Sequence, residues 1–331
     1  MVFILNKLLA EIIDKSALYQ LHRNKSKTWQ FSNIGSIPTL EDVHHYYFQP
    51  QIPEISFEHV SNRSNYKIGN FRYKSSIENG QCNEYATGIY YQDKLKTPPK
   101  LNVILVHGWR QGNGRIKAIY LEPFIKNGYD MYFITLPYHT ERQGNNSSYQ
   151  GELMISANIE RTLASIRQAV VDLRALINWL PTNRTSKVIL VGISLGGLLV
   201  NLTVAVEENI DGIICVFAPN DLSHIAWNTI TGKFIKKDFE DNAFSLDQLQ
   251  TCWAITKTSN FATKIPKEKM LFFSALYDKY IDSKDADKLW EKWGRPKRKL
   301  YHCGHAGIAL CKKSIANDSL EFIKRKILGE G

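Results

Sequence analysis

The sequence contains little cysteine, and its cysteines are not spaced as metal ligands or as disulfide partners. Its 331 residues include five cysteines, an odd number without a CxxC pair. They are Cys82, Cys215, Cys252, Cys303 and Cys311. Such a set fits reduced thiols in a reducing compartment and no metal site. We therefore expect a cytoplasmic protein that needs no metal and no other cofactor.

Long apolar runs are also absent, so no membrane-spanning helix is predicted. The apolar residues 1–5 are soon followed by Lys7 and Glu11, and no small-residue cleavage site comes after them. We therefore expect no secretory signal peptide.

The same N-terminal region has apolar residues at helical spacing. These are Leu5, Leu8, Leu9, Ile12 and Ile13. The spacing predicts an amphipathic helix that packs on the body of the protein. Peripheral contact of this helix with a membrane surface is the alternative.

Acidic residues are outnumbered by basic ones, with 32 Asp and Glu against 42 Lys and Arg. The basic residues form only modest clusters, at 23–27, 233–237 and 292–299, and no nucleic-acid-binding motif accompanies them. We expect a solvated basic surface and no nucleic-acid partner. Attraction to an anionic membrane or to an acidic substrate is the alternative.

What the sequence does contain is an alternation of short apolar runs and helical patterns. Runs at 66–73 and 84–91 predict antiparallel strands at the edge of a sheet. Further strands are predicted at 101–106, 131–136, 187–193, 213–217, 270–275 and 299–303. Helices are predicted at 116–126, 156–180, 197–206, 285–293 and 308–327, with Pro181 ending the second. This order predicts an α/β fold with a mainly parallel sheet and helices on both faces.

Two regions stand outside that alternation. Residues 1–54 predict a helical N-terminal segment that precedes an α/β domain at 55–331. Residues 220–268 are longer than a crossover helix needs, and they predict an inserted helical lid. The aromatic residues of this lid favour an apolar group in the substrate, or else they pack against one another.

The most informative motif is the pentapeptide at 192–196, Gly-Ile-Ser-Leu-Gly, between a predicted strand and a buried helix. A serine on so sharp a turn has a strained backbone and an exposed hydroxyl, and flanking glycines let neighbouring backbones pass close to it. Ser194 is therefore a candidate nucleophile. A glycine-rich turn that binds phosphate, or nothing, is the alternative.

A serine nucleophile needs a base and a carboxylate that orients the base. Asp278 and His305 each follow a predicted strand, and the carboxyl ends of parallel strands meet at one edge of a sheet. Asp221 is the rival for the acid and His302 the rival for the base. The oxyanion of acyl transfer needs two backbone N–H donors, for which Leu195 and Trp109 are the candidates.

Four separated segments, at 106–109, 192–196, 276–278 and 304–307, together resemble the α/β-hydrolase superfamily over roughly residues 85–331. The resemblance implies a Ser194, His305 and Asp278 triad with an oxyanion hole at Trp109 and Leu195. The segment at 137–142 stands where the superfamily often has Pro-Gly-His-Gly, which makes Tyr138 and His139 candidates for substrate binding. For His139, a role in structuring the loop is the alternative.

The resulting hypothesis is a serine esterase or lipase-like hydrolase that cleaves a carboxylic ester, a thioester or a related acyl bond of a small molecule through an acyl-enzyme. An acyltransferase with the same triad is an alternative within the enzymes. A binding or scaffold protein that kept the fold without catalysis is the alternative of another class.

Overall fold

The computed structural model describes residues 6–23, 30–95, 98–183 and 186–330. Among them, nine strands form one sheet in the order β1-β2-β3-β5-β4-β6-β7-β8-β9. The strands are β1 (Ser56–Arg63), β2 (Tyr66–Lys74), β3 (Tyr85–Asp93), β4 (Asn102–Val106), β5 (Asp130–Thr135), β6 (Val188–Ile193), β7 (Gly212–Val216), β8 (Met270–Ala275) and β9 (Lys297–Tyr301). The six strands from β5 to β9 in this order are parallel, whereas β1, β2 and β3 add to the sheet in antiparallel fashion.

The α-helices lie mostly between these strands. They are α1 (Lys7–His22), α2 (Val43–Tyr46), α3 (Gly114–Lys126), α4 (Ile159–Asn183), α5 (Leu195–Val206), α6 (Leu222–Asn228), α7 (Lys233–Asp241), α8 (Leu246–Cys252), α9 (Ser283–Lys292) and α10 (Ile308–Phe322). A π-helical turn, Ile323–Leu328, continues α10. The predicted α/β architecture is therefore confirmed.

The central strands are apolar because helices cover both of their faces. Every residue of β4, β5, β6 and β7 is buried. Successive residues of β4 contribute to two different cores: Val103 and Leu105 pack with α3 and α10, whereas Ile104 and Val106 pack with α4 and α5. Because these strands are parallel, their carboxyl ends lie at one edge of the sheet, where the loops with the candidate site residues begin.

The insertion between β7 and β8 is helical, as predicted, and contains α6, α7 and α8. Its aromatic side chains pack against one another. Phe239 is fully buried, with ring centroids at 5.3 Å from Phe244, 6.0 Å from Trp253 and 6.3 Å from Trp227. These rings pack against one another within the larger core on the α4 and α5 side of the sheet, so they give no support to an apolar substrate. A role of the segment as a lid stays a prediction.

The N-terminal helix α1 is present, but its predicted packing face is wrong. Leu8, Leu9 and Ile12 are exposed, whereas Ala10, Asp14 and Leu18 are buried. These three are spaced by four residues and so lie along one side of the helix. This side faces inward because three backbone N–H groups of the α/β domain donate hydrogen bonds to Asp14.

Two further differences concern the ends of elements. Helix α4 does not end before Pro181 but continues to Asn183. Leu5 and residues 24–27 of the first basic cluster lie outside the described residues. In the part of the chain that the structure describes, no helix has the length and apolar character that crossing a bilayer requires.

Candidate active site

Ser194 occupies the turn between β6 and α5, and its backbone is in a strained conformation. Its φ is +54° and its ψ is −120°, a combination that costs a side-chain-bearing residue of the order of 1–3 kcal/mol. The flanking glycines are required by close backbone approach. A Cβ on Gly192 would clash with the carbonyl of Gly196, and a Cβ on Gly196 would clash with the carbonyl of Val106. The turn therefore projects the serine side chain away from the sheet.

His305 joins Ser194 to Asp278. Its Nε2 lies 3.1 Å from the Oγ of Ser194, and its Nδ1 lies 2.8 Å from Oδ2 of Asp278. When Nδ1–H donates to the carboxylate, Nε2 is left as the acceptor for the serine hydroxyl. The other oxygen of Asp278 accepts the N–H groups of Tyr280 and Ile281 at 2.8 and 2.9 Å, which fixes the carboxylate. Folding thus aligns three side chains that are far apart in the sequence.

The rival residues have other partners. Asp221 caps helix α6 by accepting the N–H groups of its first turn, and it pairs with Lys257 at 3.2 Å. His302 contacts the hydroxyl of Tyr277 at 3.4 Å. Neither residue contacts Ser194 among the described contacts, so the geometry favours Asp278 and His305 over them.

The loop after β4 runs close to the serine. A Cβ on Gly108 would lie 3.3 Å from the Cβ of Ser194. Leu195 begins helix α5, where backbone N–H groups have no intrahelical acceptor. Within the described ranges, the N–H groups of Trp109 and Leu195 donate to no protein acceptor. Both groups are therefore available for a developing oxyanion, the role that the sequence predicts for them.

A cavity of about 360 Å³ opens over this arrangement. Ser194 and His305 line it, together with Trp109 and Tyr280. The ring of Tyr280 stacks on the imidazole of His305, with centroids 4.6 Å apart. Part of the cavity wall comes from α1, through residues such as Gln20. No group of three or more potential metal ligands occurs among the residues that the structure describes.

The fold is similar to that of solved structures. Acetyl xylan esterase 1 from Thermoanaerobacterium sp. JW/SL YS485 superposes with a TM-score of 0.66 at 15% identity, over 89% of this chain and 96% of the esterase. The acetyl xylan esterase from Paenibacillus sp. R4 gives 0.66 at 15% identity, over 93% and 99%. GrgF, an α/β hydrolase from Penicillium sp. sh18, gives 0.54 at 14% identity, over 78% and 99%. The chain has the α/β-hydrolase fold.

Two relatives in sequence have names that state no function. YdjC of Bacillus subtilis (strain 168) is 47% identical over 116 residues, which are 35% of this chain and all of YdjC. The chain belongs to the family of YdjC. Rv2627c of Mycobacterium tuberculosis (strain ATCC 25618 / H37Rv) is 21% identical over 72% of this chain and 56% of its own length. No family model matches the chain.

Tyr138 and His139, which the sequence predicts to bind substrate, are both buried and hydrogen-bonded within the protein. His139 is fully buried, and its Nδ1 donates to the carbonyl of Pro137 at 2.8 Å. Its Nε2 accepts the N–H of Arg110 at 3.1 Å, which helps to hold Arg110 at a φ of +57°. The hydroxyl of Tyr138 donates to Asn79. Neither residue lines the cavity over Ser194, so these contacts favour the loop-structuring alternative.

His107 has a similar position at the end of β4. Its Nδ1 donates to the carbonyl of Gly108 at 2.9 Å, and its Nε2 accepts the N–H of Leu136 at 3.1 Å. Burial lowers the pKa of His107 to about 4, because the interior disfavours the charged imidazolium. A protonated ring would also lose the bond to Leu136. The neutral imidazole therefore connects the loop after β4 to the loop after β5.

We expect the free energy of unfolding to fall by about 3 kcal/mol through His107 between pH 6.5 and pH 4. In this window the unfolded chain binds a proton at His107 that the folded chain does not, so acid favours unfolding. Urea unfolding of the wild type and of His107→Asn at pH 7, 5.5 and 4.5 measures this difference. His59→Asn, on the exposed strand β1, is the control. Parallel pH curves for the wild type and His107→Asn contradict the prediction.

Asp14 on α1 is the residue of this site that the sequence analysis missed. It is fully buried, and its Oδ2 accepts the N–H of Lys279 at 3.0 Å and of His305 at 2.9 Å. Its Oδ1 accepts the N–H of Ala306 at 2.8 Å. Burial raises the pKa of Asp14, and these three donors oppose the rise. One carboxylate therefore joins the loop of the candidate acid to the loop of the candidate base.

Helix α1 also contacts other walls of the site. Glu11 pairs with Lys279 at 3.0 Å, and the imidazole of His22 lies 3.1 Å from the carbonyl of Ile230 in the inserted segment. The carbonyl of Leu21 accepts from Arg110 at 3.4 Å. The helix thus bridges three loops around the cavity. A sequence signal for this role existed only in Asp14 itself, an acidic residue among apolar helical positions.

Proposed function

We propose that this protein is a serine hydrolase that cleaves a carboxylic ester of a small molecule through an acyl-enzyme. The observation that carries the proposal is the continuous chain of hydrogen bonds from Ser194 through His305 to Asp278, at 3.1 and 2.8 Å. It lies below a cavity and beside the N–H groups of Trp109 and Leu195, which donate to no acceptor among the described residues. The esterases of the same fold are a further, weaker support, since a shared fold hosts many activities.

The geometry supports a two-step reaction. The Oγ of Ser194 attacks the carbonyl carbon of the ester while Nε2 of His305 takes the hydroxyl proton. The resulting oxyanion accepts hydrogen bonds from the N–H groups of Trp109 and Leu195. Collapse breaks the bond to the alcohol oxygen, which takes the proton from His305. Asp278 holds the ring in the required tautomer and stabilises the imidazolium.

A water molecule then repeats the sequence on the acyl-enzyme. His305 takes a proton from the water, and the hydroxide forms the carboxylic acid as Ser194 leaves with that proton. An alcohol in place of water would make the protein an acyltransferase. The cavity gives no specific reason to prefer an alcohol, so hydrolysis is the activity that we propose.

We expect a fluorophosphonate probe to label the protein once, at Ser194, because the activated hydroxyl attacks phosphorus as it attacks a carbonyl. The labelled peptide is identified by mass spectrometry. His305→Ala should slow labelling by a factor of the order of 10³ or more, since it removes the base. His302→Ala is the matched control and should label at a rate close to that of the wild type. Rapid labelling of His305→Ala removes His305 from the mechanism, and absence of labelling in the wild type favours a binding protein.

A further inference from the structure

The cavity over Ser194 has an unbalanced charge. Two arginines, Arg110 and Arg115, line it, and no aspartate or glutamate is among its lining residues. The nearest acids at its base, Asp14 and Asp278, already accept backbone N–H groups and the imidazole of His305. A guanidinium in partly buried surroundings loses hydration, and this loss is costly unless an anion replaces the water.

Arg115 is the arginine of this cavity whose charge has no described partner. Its side chain is partly buried, and none of the described residues forms an ion pair or a hydrogen bond with it. It stands in the first turn of α3, where no acidic residue is present and Asn113 provides no side-chain cap. The positive end of the helix dipole therefore adds to the charge of the guanidinium. Tyr280, which stacks on His305, interacts electrostatically with Arg115.

Arg110 is held by neutral groups. It donates to the hydroxyl of Tyr149 at 2.7 Å and to the carbonyl of Leu21, and its guanidinium lies over the rings of Trp109 and Tyr149 at 4.0 and 4.2 Å. Its Nε is buried without a hydrogen-bond partner among the described residues. The carboxylate of Glu152 acts on it only at longer range. Burial lowers the pKa of both guanidinium groups, yet an arginine stays charged at any physiological pH.

The rest of the wall is mixed, with apolar surface from Ala17, Leu21 and Trp109. The aromatic residues of the inserted segment pack among themselves, and Thr231 is the residue of that segment in the described lining. Gln20 and Gln111 add amide groups. A cavity with two arginines, of which Arg115 has no ion-pair partner among the described residues, and with amides and a hydroxyl suits a ligand that carries a negative charge.

We propose that the substrate is an ester that also carries an anionic oxygen group, a carboxylate or a phosphate, which Arg115 binds while Ser194 attacks the ester carbonyl. This proposal rests on the proposed serine-hydrolase function and names its substrate class. Arg115 presents paired N–H donors whose fork matches two oxygens of either anion. Arg110, in the loop after β4, supplies a second positive charge to the cavity.

The test compares three acetyl esters that share a ring and a scissile bond. They are para-acetoxybenzoate, para-acetoxyphenyl phosphate and the neutral para-acetoxybenzamide. The quantity measured is kcat/KM for each anionic ester divided by kcat/KM for the amide, after each is corrected for its own rate with hydroxide. We expect the wild type to prefer at least one anionic ester by about 10- to 100-fold, the usual strength of a hydrogen-bonded charge contact.

Arg115→Gln should lower that preference by the same 10- to 100-fold factor, and Arg115→Lys by less, because lysine keeps the charge and loses the fork. Lys126→Gln is the matched control, since it removes one positive charge from the exposed last turn of the same helix. It should leave the preference unchanged. Whichever anion is preferred identifies the natural group as a carboxylate or a phosphate.

Cleavage of the neutral amide with no preference for either anion overturns the substrate class and leaves the serine hydrolase in place. A preference that Arg115→Gln does not reduce overturns the role of Arg115. If Arg115→Gln does not fold, product inhibition of the wild type decides. We then expect para-hydroxybenzoate or para-hydroxyphenyl phosphate to inhibit at least ten times more strongly than para-hydroxybenzamide, and equal inhibition by all three refutes the proposal. Failure of the proposed function itself is recognised separately, by the absence of fluorophosphonate labelling at Ser194.

Discussion

Replacement of Ser194 by alanine is expected to lower kcat for a carboxylic ester by about 10⁶-fold. Alanine keeps the size of the side chain and lacks the only oxygen that lies within reach of Nε2 of His305 among the described contacts. Without that oxygen no acyl-enzyme forms, and only water activated by His305 remains. Turnover of an activated acetyl ester by purified wild type and variant measures the change.

The control for this experiment is Ser61→Ala, on the exposed edge strand β1, which should keep full activity. Thermal unfolding of all three proteins establishes that the variants are folded. The residual rate of Ser194→Ala should also lose its burst of product, because the burst reports acyl-enzyme accumulation. Activity of Ser194→Ala near the wild-type level contradicts the assignment of the nucleophile.

The three residues of the candidate triad could be found from sequence for a topological reason. Ser194 and Asp278 each follow a strand whose apolar residues mark it as buried and parallel. His305 follows the edge strand β9, which is parallel as well but largely polar and only partly buried. Parallel strands of one sheet end at a common edge, so residues that follow them become neighbours whatever their separation in the chain. Their hydrogen bonds were a consequence of the sheet order, which the alternation of strands and helices already indicated.

The buried side of the N-terminal helix could not be predicted in this way. Its hydrophobic pattern pointed to Leu8, Leu9 and Ile12 as the packed face, yet these side chains are exposed. Helical periodicity assumes that the packed face is apolar, and this assumption fails where the receiving surface is polar. Here that surface consists of backbone N–H groups of the loops that contain Asp278 and His305, which require an acceptor such as Asp14. The partners lie more than 260 positions away, so local sequence contains no trace of them.

Replacement of Asp14 by asparagine is expected to lower kcat/KM by about 100-fold or more, the cost of a displacement of about 1 Å in a catalytic group. An amide has one acceptor oxygen, and its NH₂ group would face a backbone N–H that is then left without an acceptor. The loop that contains His305 and Ala306 would therefore shift away from Asp278. We also expect the free energy of unfolding to fall by about 2–4 kcal/mol, since buried donors are left unsatisfied.

A positioning role differs from mere stability in its kinetic signature. At a temperature where Asp14→Asn is fully folded, labelling of Ser194 by the fluorophosphonate probe should still be slowed, because the serine is no longer aligned with its base. Glu11→Gln is the matched control: it removes a carboxylate from the same helix and an ion pair with Lys279, and its effect on kcat/KM should stay below about threefold because that pair is partly solvated.

Gly304→Ala tests the same contact from the opposite side. A Cβ at this position would lie 2.5 Å from the carboxylate of Asp14 and would force the helix away from the histidine loop. The variant should therefore reproduce the slow labelling of Asp14→Asn while every residue of the triad is retained. If both folded variants label and turn over at the wild-type rate, Asp14 does not position the base. If both are slow, α1 is a part of the active site, and the N-terminal segment is required for alignment of a serine and a histidine that it does not contain.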